Sequence, residues 1–349
     1  MPYDSKGLPI VKAKPTAVLT TIQPPTASVK LLVNQIAAAG GSLIVVGDQK
    51  GPAEYPLPRT TFLSLRQQLD DSFGLSKLLP VGHYARKNVG YLEAIRRGAE
   101  CIYETDDDNA PVANWQVPSC ILATARTTQP DNLRWVNVYR YFTEQHIWPR
   151  GLPLDEINEP VPETEKFVGI CAPVQQCLVD RAPDVDAIWR LVNGQRFHFE
   201  NGIPVVLQSG NWCPFNTQNT WWWPQAYPLL YLPSYCSFRM CDIWKSFVAQ
   251  RCLWAIGRSV AFCAADAVQD RNVHSLMRDF SDEIPGYMNN RRIAEILTDL
   301  PLSVESDPGA NLRACYQALV DNGIFPSKEM LLVEAWLMDL QTLRLEMGG

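Results

Sequence analysis

Metal-cage and redox motifs are scarce in this chain of 349 residues. It has four histidines, at 83, 146, 198 and 274, with no ligand spacing between them, and none of its ten cysteines forms a Cys-x-x-Cys pair. A structural zinc site needs clustered Cys and His donors, so none is expected. Long apolar runs are missing too. No stretch approaches the roughly 18 residues of a membrane-spanning helix, and residues 1–15 carry lysines but no signal-peptide-like apolar segment. These absences predict a cytoplasmic protein with free thiols and no transmembrane segment. Positive charge is not in excess. Thirty-one Lys and Arg face 37 Asp and Glu, for a net charge of −6. Nucleic-acid polymers are held by basic surfaces, so such a partner is not expected.

What is present is enough apolar material, 46% of residues, to bury a large core. There is also one dense cluster of negative charge. Cys101-Ile102-Tyr103-Glu104-Thr105 reads as a strand, and it runs directly into Asp106-Asp107-Asp108. Three adjacent carboxylates repel one another and stabilise no core. They become favourable when a divalent cation sits between them and a second polyanion. Mn²⁺ and Mg²⁺ take oxygen ligands, often one or two carboxylates with substrate phosphates. The C-terminal ends of strands are where open α/β sheets bind ligands. The pattern points to a metal-bound, phosphate-bearing substrate of the nucleotide-sugar type; the alternative is a solvated turn. On either reading, the carboxylates are expected to be exposed.

The flanking residues form an α/β pattern. Residues 16–22 read as a strand, 28–39 as a helix closed by Gly40-Gly41, and 42–48 as a nearly continuous apolar strand. Shorter elements follow at 61–68 and 75–81. A helix over 87–98 places Leu92, Ile95 and Ala99 on one face ahead of the acidic strand. This alternation predicts a mostly parallel, doubly wound sheet. Beyond Pro111, prolines and tryptophans become frequent, and Trp148, Trp212 and Trp221 to Trp223 read as loops around a cleft. After about Asp242 the pattern is helical. The expected organisation is a flexible lead at 1–15, a catalytic α/β domain at 16–260 and a helical extension at 261–349.

Three further groups carry candidate chemistry. Thr20, Thr21 and Asp48 end the first two strands, where a base and ribose would sit, although Asp48 also suits a turn after Gly47. Arg86, Lys87 and Asn88 open the helix before the acidic strand and would face a diphosphate; the alternative is a solvated helix entrance. Asp242 falls in the first turn of a helix whose buried face carries Ile243, Phe247 and Trp254. It suits either a helix cap or a general base.

Several ordered motifs resemble known families. Lys87-Asn88-Val89-Gly90-Tyr91-Leu92 followed by the acidic triplet is distantly similar to the reversibly glycosylated polypeptides, or UDP-arabinopyranose mutases. A closer resemblance, to the STELLO glycosyltransferases, runs over about residues 15–260. It is carried by Asn137-Val138-Tyr139, Trp148-Pro149-Arg150-Gly151, Pro173-Val174-Gln175-Gln176, Pro183-Asp184-Val185-Asp186, Pro214-Phe215-Asn216-Thr217 and Phe238-Arg239 through Asp242. No pattern of that family is apparent in the last ninety or so residues. The resemblance implies a GT-A type, Rossmann-like fold with an Asp-x-Asp-type motif. Asp106 and Asp108 would hold Mn²⁺ or Mg²⁺, with Asp106 and Asp107 also at the donor. It implies a nucleotide-sugar donor, a glycan acceptor and a part in surface polysaccharide biosynthesis. Trp148, Arg150, Asp184, Asp186, Asn216 and Arg239 would line the acceptor or diphosphate site. Asp242 would be the base of an inverting reaction, with Asp184 and Asp186 in reserve. A nucleotide-sugar mutase and a non-catalytic glycan binder using exposed tryptophans are the rival readings.

Overall fold

The computed structural model describes residues 13–270, 275–303 and 307–348. In chain order the elements are β1 (Pro15–Thr20), α1 (Ala27–Ala38), β2 (Ser42–Val46), β3 (Thr60–Leu63), α2 (Leu65–Asp70), α3 (Gly74–Leu78), α4 (Lys87–Arg96), β4 (Cys101–Thr105), β5 (Asn109–Pro111), β6 (Ile121–Leu122), β7 (Ala125–Thr128) and β8 (Arg134–Trp135). They continue as β9 (Thr164–Phe167), β10 (Ile170–Cys171), β11 (Val174–Asp180), α5 (Ala187–Asn193), β12 (Val205–Leu207), β13 (Asn211–Trp212), β14 (Asn219–Trp222), α6 (Cys241–Ala255), β15 (Val260–Gln269), α7 (Leu276–Asp299), α8 (Pro308–Asp321) and α9 (Glu329–Gly348).

The main sheet has the order β3-β2-β1-β4-β14-β11-β15-β12-β7-β9, with β5 beside β15. Its first four strands are all parallel, as the βαβ pattern requires. The second half is mixed. β14 runs antiparallel to both β4 and β11, and β15 runs parallel to β11. The C-terminal ends of β1, β2, β4, β11 and β15 therefore share one edge. This is a GT-A-like architecture, an α/β sheet followed by C-terminal helices.

The helices cover the sheet for reasons visible in the chain. Thr26 caps α1 by accepting from Val29 N, and Val29, Leu32, Val33 and Ile36 bury one stripe of it. α4 lies so close to the sheet that a Cβ at Gly90 would stand 2.6 Å from both Val18 Cγ1 and Val46 Cγ2. Glycine lets the helix touch the strands there. α6 is buried almost all round rather than on one face. Its polar groups are matched. Lys245 Nζ donates to Glu104 Oε1 at 2.5 Å, Gln250 Oε1 accepts from Cys213 N, and Ser246 Oγ accepts from Phe215 N.

Three sequence expectations need correction. The lead at 1–15 ends in strand β1, which begins at Pro15; residues 1–12 lie outside the described part. The boundary at 260 falls at the start of β15, an interior strand, so 261–269 belong to the sheet. Trp221 and Trp222 are strand residues of β14 with no exposed surface, and Trp221 stacks on Tyr103 at 4.4 Å between centroids. Their run reads as a loop in sequence because Pro224 follows it, yet β14 pairs on both sides and buries both faces.

Glu104 also accepts hydrogen bonds from Tyr91 and from Trp222 Nε1, and it has no exposed surface. Removing one partner of a buried ion pair leaves the other charge uncompensated. Lys245→Met is expected to lower the unfolding free energy by about 3–5 kcal/mol in urea titration. Adding Glu104→Gln to it should restore part of that loss; a double variant no better than the single would show that the charge itself is not the cost.

Candidate active site at the strand ends

Two cavities open at the shared C-terminal edge. One, of about 250 Å³, has Asp106, Asp107, Asp108, Thr217, Gln218 and Gln269 on one side and Arg150, Asp184, Arg190, Arg239 and Asp242 on the other. The second, of about 450 Å³, lies over the ends of β1 and β2 and is lined by Thr21, Asp48, Lys50, Gly82 and His83, among others. Thr20, Tyr84, Asp107 and Phe238 line both.

The acidic tip is built from below. Lys87 Nζ has no exposed surface and donates to Thr105 O at 2.7 Å, Tyr84 Oη at 2.9 Å and Asp106 Oδ1 at 3.2 Å. Tyr84 also donates to Asp106 Oδ1, at 2.8 Å. Thr21 donates to Asp107, and Gln269 Nε2 to Asp108 Oδ2 at 3.0 Å. Asp107 and Asp108 have no cationic partner at such range among the described residues. Burial, with the Asp106 and Asp107 charges beside it, pushes the Asp108 carboxyl up to about 6. Burial raises Asp107 as well, against the Thr21 hydrogen bond.

This tip fits a hard divalent cation. Among the described residues no side-chain donor engages Asp106 Oδ2 or Asp108 Oδ1. No group of three or more His, Cys, Asp or Glu there forms a ready-made cage. A cation shared with substrate phosphates, rather than enclosed by protein, matches that donor set.

The opposite wall is an ion network from four segments. Arg150 donates from Nε and Nη2 to Asp184, both at 2.8 Å. It donates from Nη1 and Nη2 to Asp242, at 3.0 and 2.8 Å. Asn216 Nδ2 adds a bond to Asp184 Oδ2 at 2.8 Å, and Arg239 pairs with the buried Glu283 at 2.7 Å. Burial alone would raise the Asp184 carboxyl, but the Arg150 charge outweighs it and holds the group below its usual range. Gly151, at φ +92°, lets the Arg150 loop reach α6, since a Cβ there would stand 2.5 Å from Ile243 Cγ2.

The fold thus brings together Thr20, Asp106, Asp107, Asp108, Arg150, Asp184, Arg239 and Asp242 at the cleft. It places Thr21 and Asp48 in the adjoining cavity, where Asp48 accepts from Gly82 N at 2.9 Å and His83 N at 3.0 Å. Asn216 stands behind Asp184. Other expectations are overturned. Arg86 has no exposed surface and spends its guanidinium on Gln68, Leu79 O and Ser76 O, away from any diphosphate. Asn88 bridges to the backbone of Leu232. Lys87 supports the tip from inside instead of facing a ligand. Asp186 caps α5 through Trp189 N and accepts from Trp148 Nε1 at 2.7 Å, so those two hold each other and line neither cavity. Sequence reasoning missed Tyr84, Thr217, Gln218, Phe238 and Gln269. Thr217 and Phe238 lie inside the motifs that carry the family resemblance, whereas Gln269 ends a strand in the stretch expected to be helical.

The profile of the STELLO glycosyltransferases matches residues 239–348. Over 93% of this chain, the sequence is 28% identical to probable glycosyltransferase STELLO1 of Arabidopsis thaliana and 29% identical to probable glycosyltransferase STELLO2 of the same plant. The chain is thus similar to the STELLO glycosyltransferases over most of its own length. It spans 44% of the length of each of those relatives. The profile match corrects the view that the last ninety residues resemble nothing in the family, since it covers α6 through α9, with Arg239 and Asp242 of the wall. Among the described residues, no helix is long and apolar enough to cross a membrane.

The tip carboxylates, expected to be exposed and dispensable for folding, are not equivalent. Asp106→Ala strips buried Lys87 of its anionic partner and should cost about 1.5–3 kcal/mol, read by denaturant titration. Asp108 behaves in the opposite sense. Its folded pKa lies above the roughly 3.9 of an unfolded chain, so the folded state binds more protons between about pH 4 and 6. Stability is then lost as pH rises through that window. In EDTA, Asp108→Asn should be more stable than wild type at pH 7.5 and equal to it near pH 3.5. A constant difference across pH would rule this account out.

Proposed function

We propose that this chain is a metal-dependent glycosyltransferase. It would move a sugar from a nucleotide-sugar donor to a glycan hydroxyl with inversion at the anomeric carbon, as part of polysaccharide assembly. The observation that carries this reading is the meeting, across one cleft, of an unbalanced carboxylate tip and an Asp–Arg–Asp wall. The similarity to two probable glycosyltransferases supports it.

Asp106 and Asp108 would hold Mn²⁺ or Mg²⁺. When bound, that cation supplies positive charge to the diphosphate leaving group. The chain's own residues do the rest. Lys87 and Tyr84 fix Asp106, and Thr21 fixes Asp107, so the tip is preorganised. Asp242 takes the proton of the acceptor hydroxyl as its oxygen bonds to the anomeric carbon. The bond from that carbon to the diphosphate breaks, and its electron pair leaves with the phosphate. Arg150 grips the Asp242 carboxylate through two hydrogen bonds and fixes its orientation. Asp184 accepts from Arg150 and Asn216, and Asp242 from Arg150 and Ile243 N, so Asp184 stays in reserve beside Asp242; Asp186 lies outside the cleft and drops out.

The glycan-binder reading loses its observation, because Trp221 to Trp223 are buried. The mutase reading uses the same tip and is separated by experiment: protein incubated with nucleotide-sugar alone should give no ring isomer. Calorimetry should show nucleoside diphosphate binding with Mn²⁺ and a loss of affinity in EDTA; equal affinity in both would refute the metal role. Asp242→Asn should lower turnover by at least about a hundredfold, in line with general-base contributions. Donor affinity should not change. Normal turnover by that variant would leave Asp242 a structural member of the Arg150 network.

A further inference from the structure

Phe238 takes no part in the ion networks. It lies in the single turn Phe238–Met240 ahead of α6, and it is 57% exposed. A lone exposed aromatic residue means little by itself. This one stands on the wall common to both cavities, with Thr20, Tyr84 and Asp107. Its ring packs edge-on against Tyr84, with centroids 5.8 Å apart and planes at 73°. Tyr84 is itself immobilised, since its hydroxyl donates to Asp106 Oδ1 and meets Thr217 Oγ1 at 2.6 Å. The edge contact therefore fixes the Phe238 ring relative to the acidic tip and leaves more than half of the residue uncovered.

We propose that Phe238 is a binding residue of the donor site, its ring being the stacking surface for the nucleoside of a nucleoside diphosphate. This rests on the nucleotide-sugar reading above. The diphosphate has to lie against the tip that holds the cation. An uncharged ring system gains nothing there and fits the larger cavity over β1 and β2, about 450 Å³ in size. A ligand spanning the two cavities must cross the shared wall, and Phe238 is the apolar surface that the wall presents. Stacking on an aromatic face tolerates any base, because every base has a π-face. Phe238 would thus set affinity for the nucleoside, while polar groups such as Asp48 and Lys50 discriminate among bases.

The test uses UDP, GDP, ADP and CDP, with inorganic pyrophosphate as the probe that lacks a nucleoside. Each is titrated calorimetrically, with Mn²⁺ present, into the wild-type chain, Phe238→Ala and Phe238→Trp. Phe238→Ala should weaken whichever nucleoside diphosphates the wild type binds by roughly tenfold or more. Phe238→Trp should retain the affinity, and pyrophosphate should not distinguish the three proteins. Melting temperature should be unchanged, as expected for an exposed side chain. Equal nucleoside diphosphate affinity in the wild type and Phe238→Ala overturns the proposal, and so does an equal loss of pyrophosphate affinity. A wild-type chain that binds none of the four nucleotides overturns the nucleotide reading itself, an outcome distinct from both.

Discussion

The buried pair between Glu104 and Lys245 is the interaction on which the cleft depends. Glu104 stands on β4 two residues before the acidic tip, and Lys245 stands on α6 one turn after Asp242. Neither is exposed beyond 1% of its side chain. Tyr91 and Trp222 bring α4 and β14 to the same carboxylate. A charged pair in a dry core is weak evidence of net stability, but it is intolerant of displacement, because any shift leaves a charge unpaired. The pair therefore fixes the distance between the element that carries the tip and the helix that carries the opposite wall.

Above that anchor, the two sides of the cleft differ in how their charge is balanced. On the Asp242 side, Arg150 serves two carboxylates at once, and Asn216 completes the set on Asp184. On the tip side, Lys87 serves Asp106 alone, and Asp107 and Asp108 keep their repulsion. The contrast appears in their protonation: Asp184 is held below the usual carboxylate range, and Asp108 is raised to about 6. One wall has its carboxylates paired with Arg150, and on the other only Asp106 has a cationic partner among the described residues.

The C-terminal helices belong to the same construction. α7 and α8 pack on α6, and α9 packs on α3 and α4. Glu283 of α7 holds Arg239 beside the cleft, and Glu329 of α9 accepts from Tyr231 and the backbone of Ser234 and Tyr235. The helices thus hold α6 in place from its outer side. That agrees with a family match that runs through them rather than stopping at the sheet.

Local pattern determined a definite part of this protein. Alternation of apolar strands with one amphipathic helix stripe yields β1-α1-β2 and α4-β4, because those periods depend only on neighbours in the chain. The acidic triplet is legible for the same reason: three like charges in a row have no local partner. Spatial partners are not written in any single segment. Whether Arg86 or Arg150 reaches the cleft depends on which carbonyls and carboxylates the fold brings to each guanidinium. Asp184 and Asp186 are two residues apart and look alike in sequence; tertiary structure sends one to Arg150 and the other to the cap of α5 and Trp148. The tryptophans of β14 read as surface until strand pairing on both sides buries them. Phe238 and Gln269 acquire meaning only at the shared edge, where five strand ends from distant parts of the chain meet.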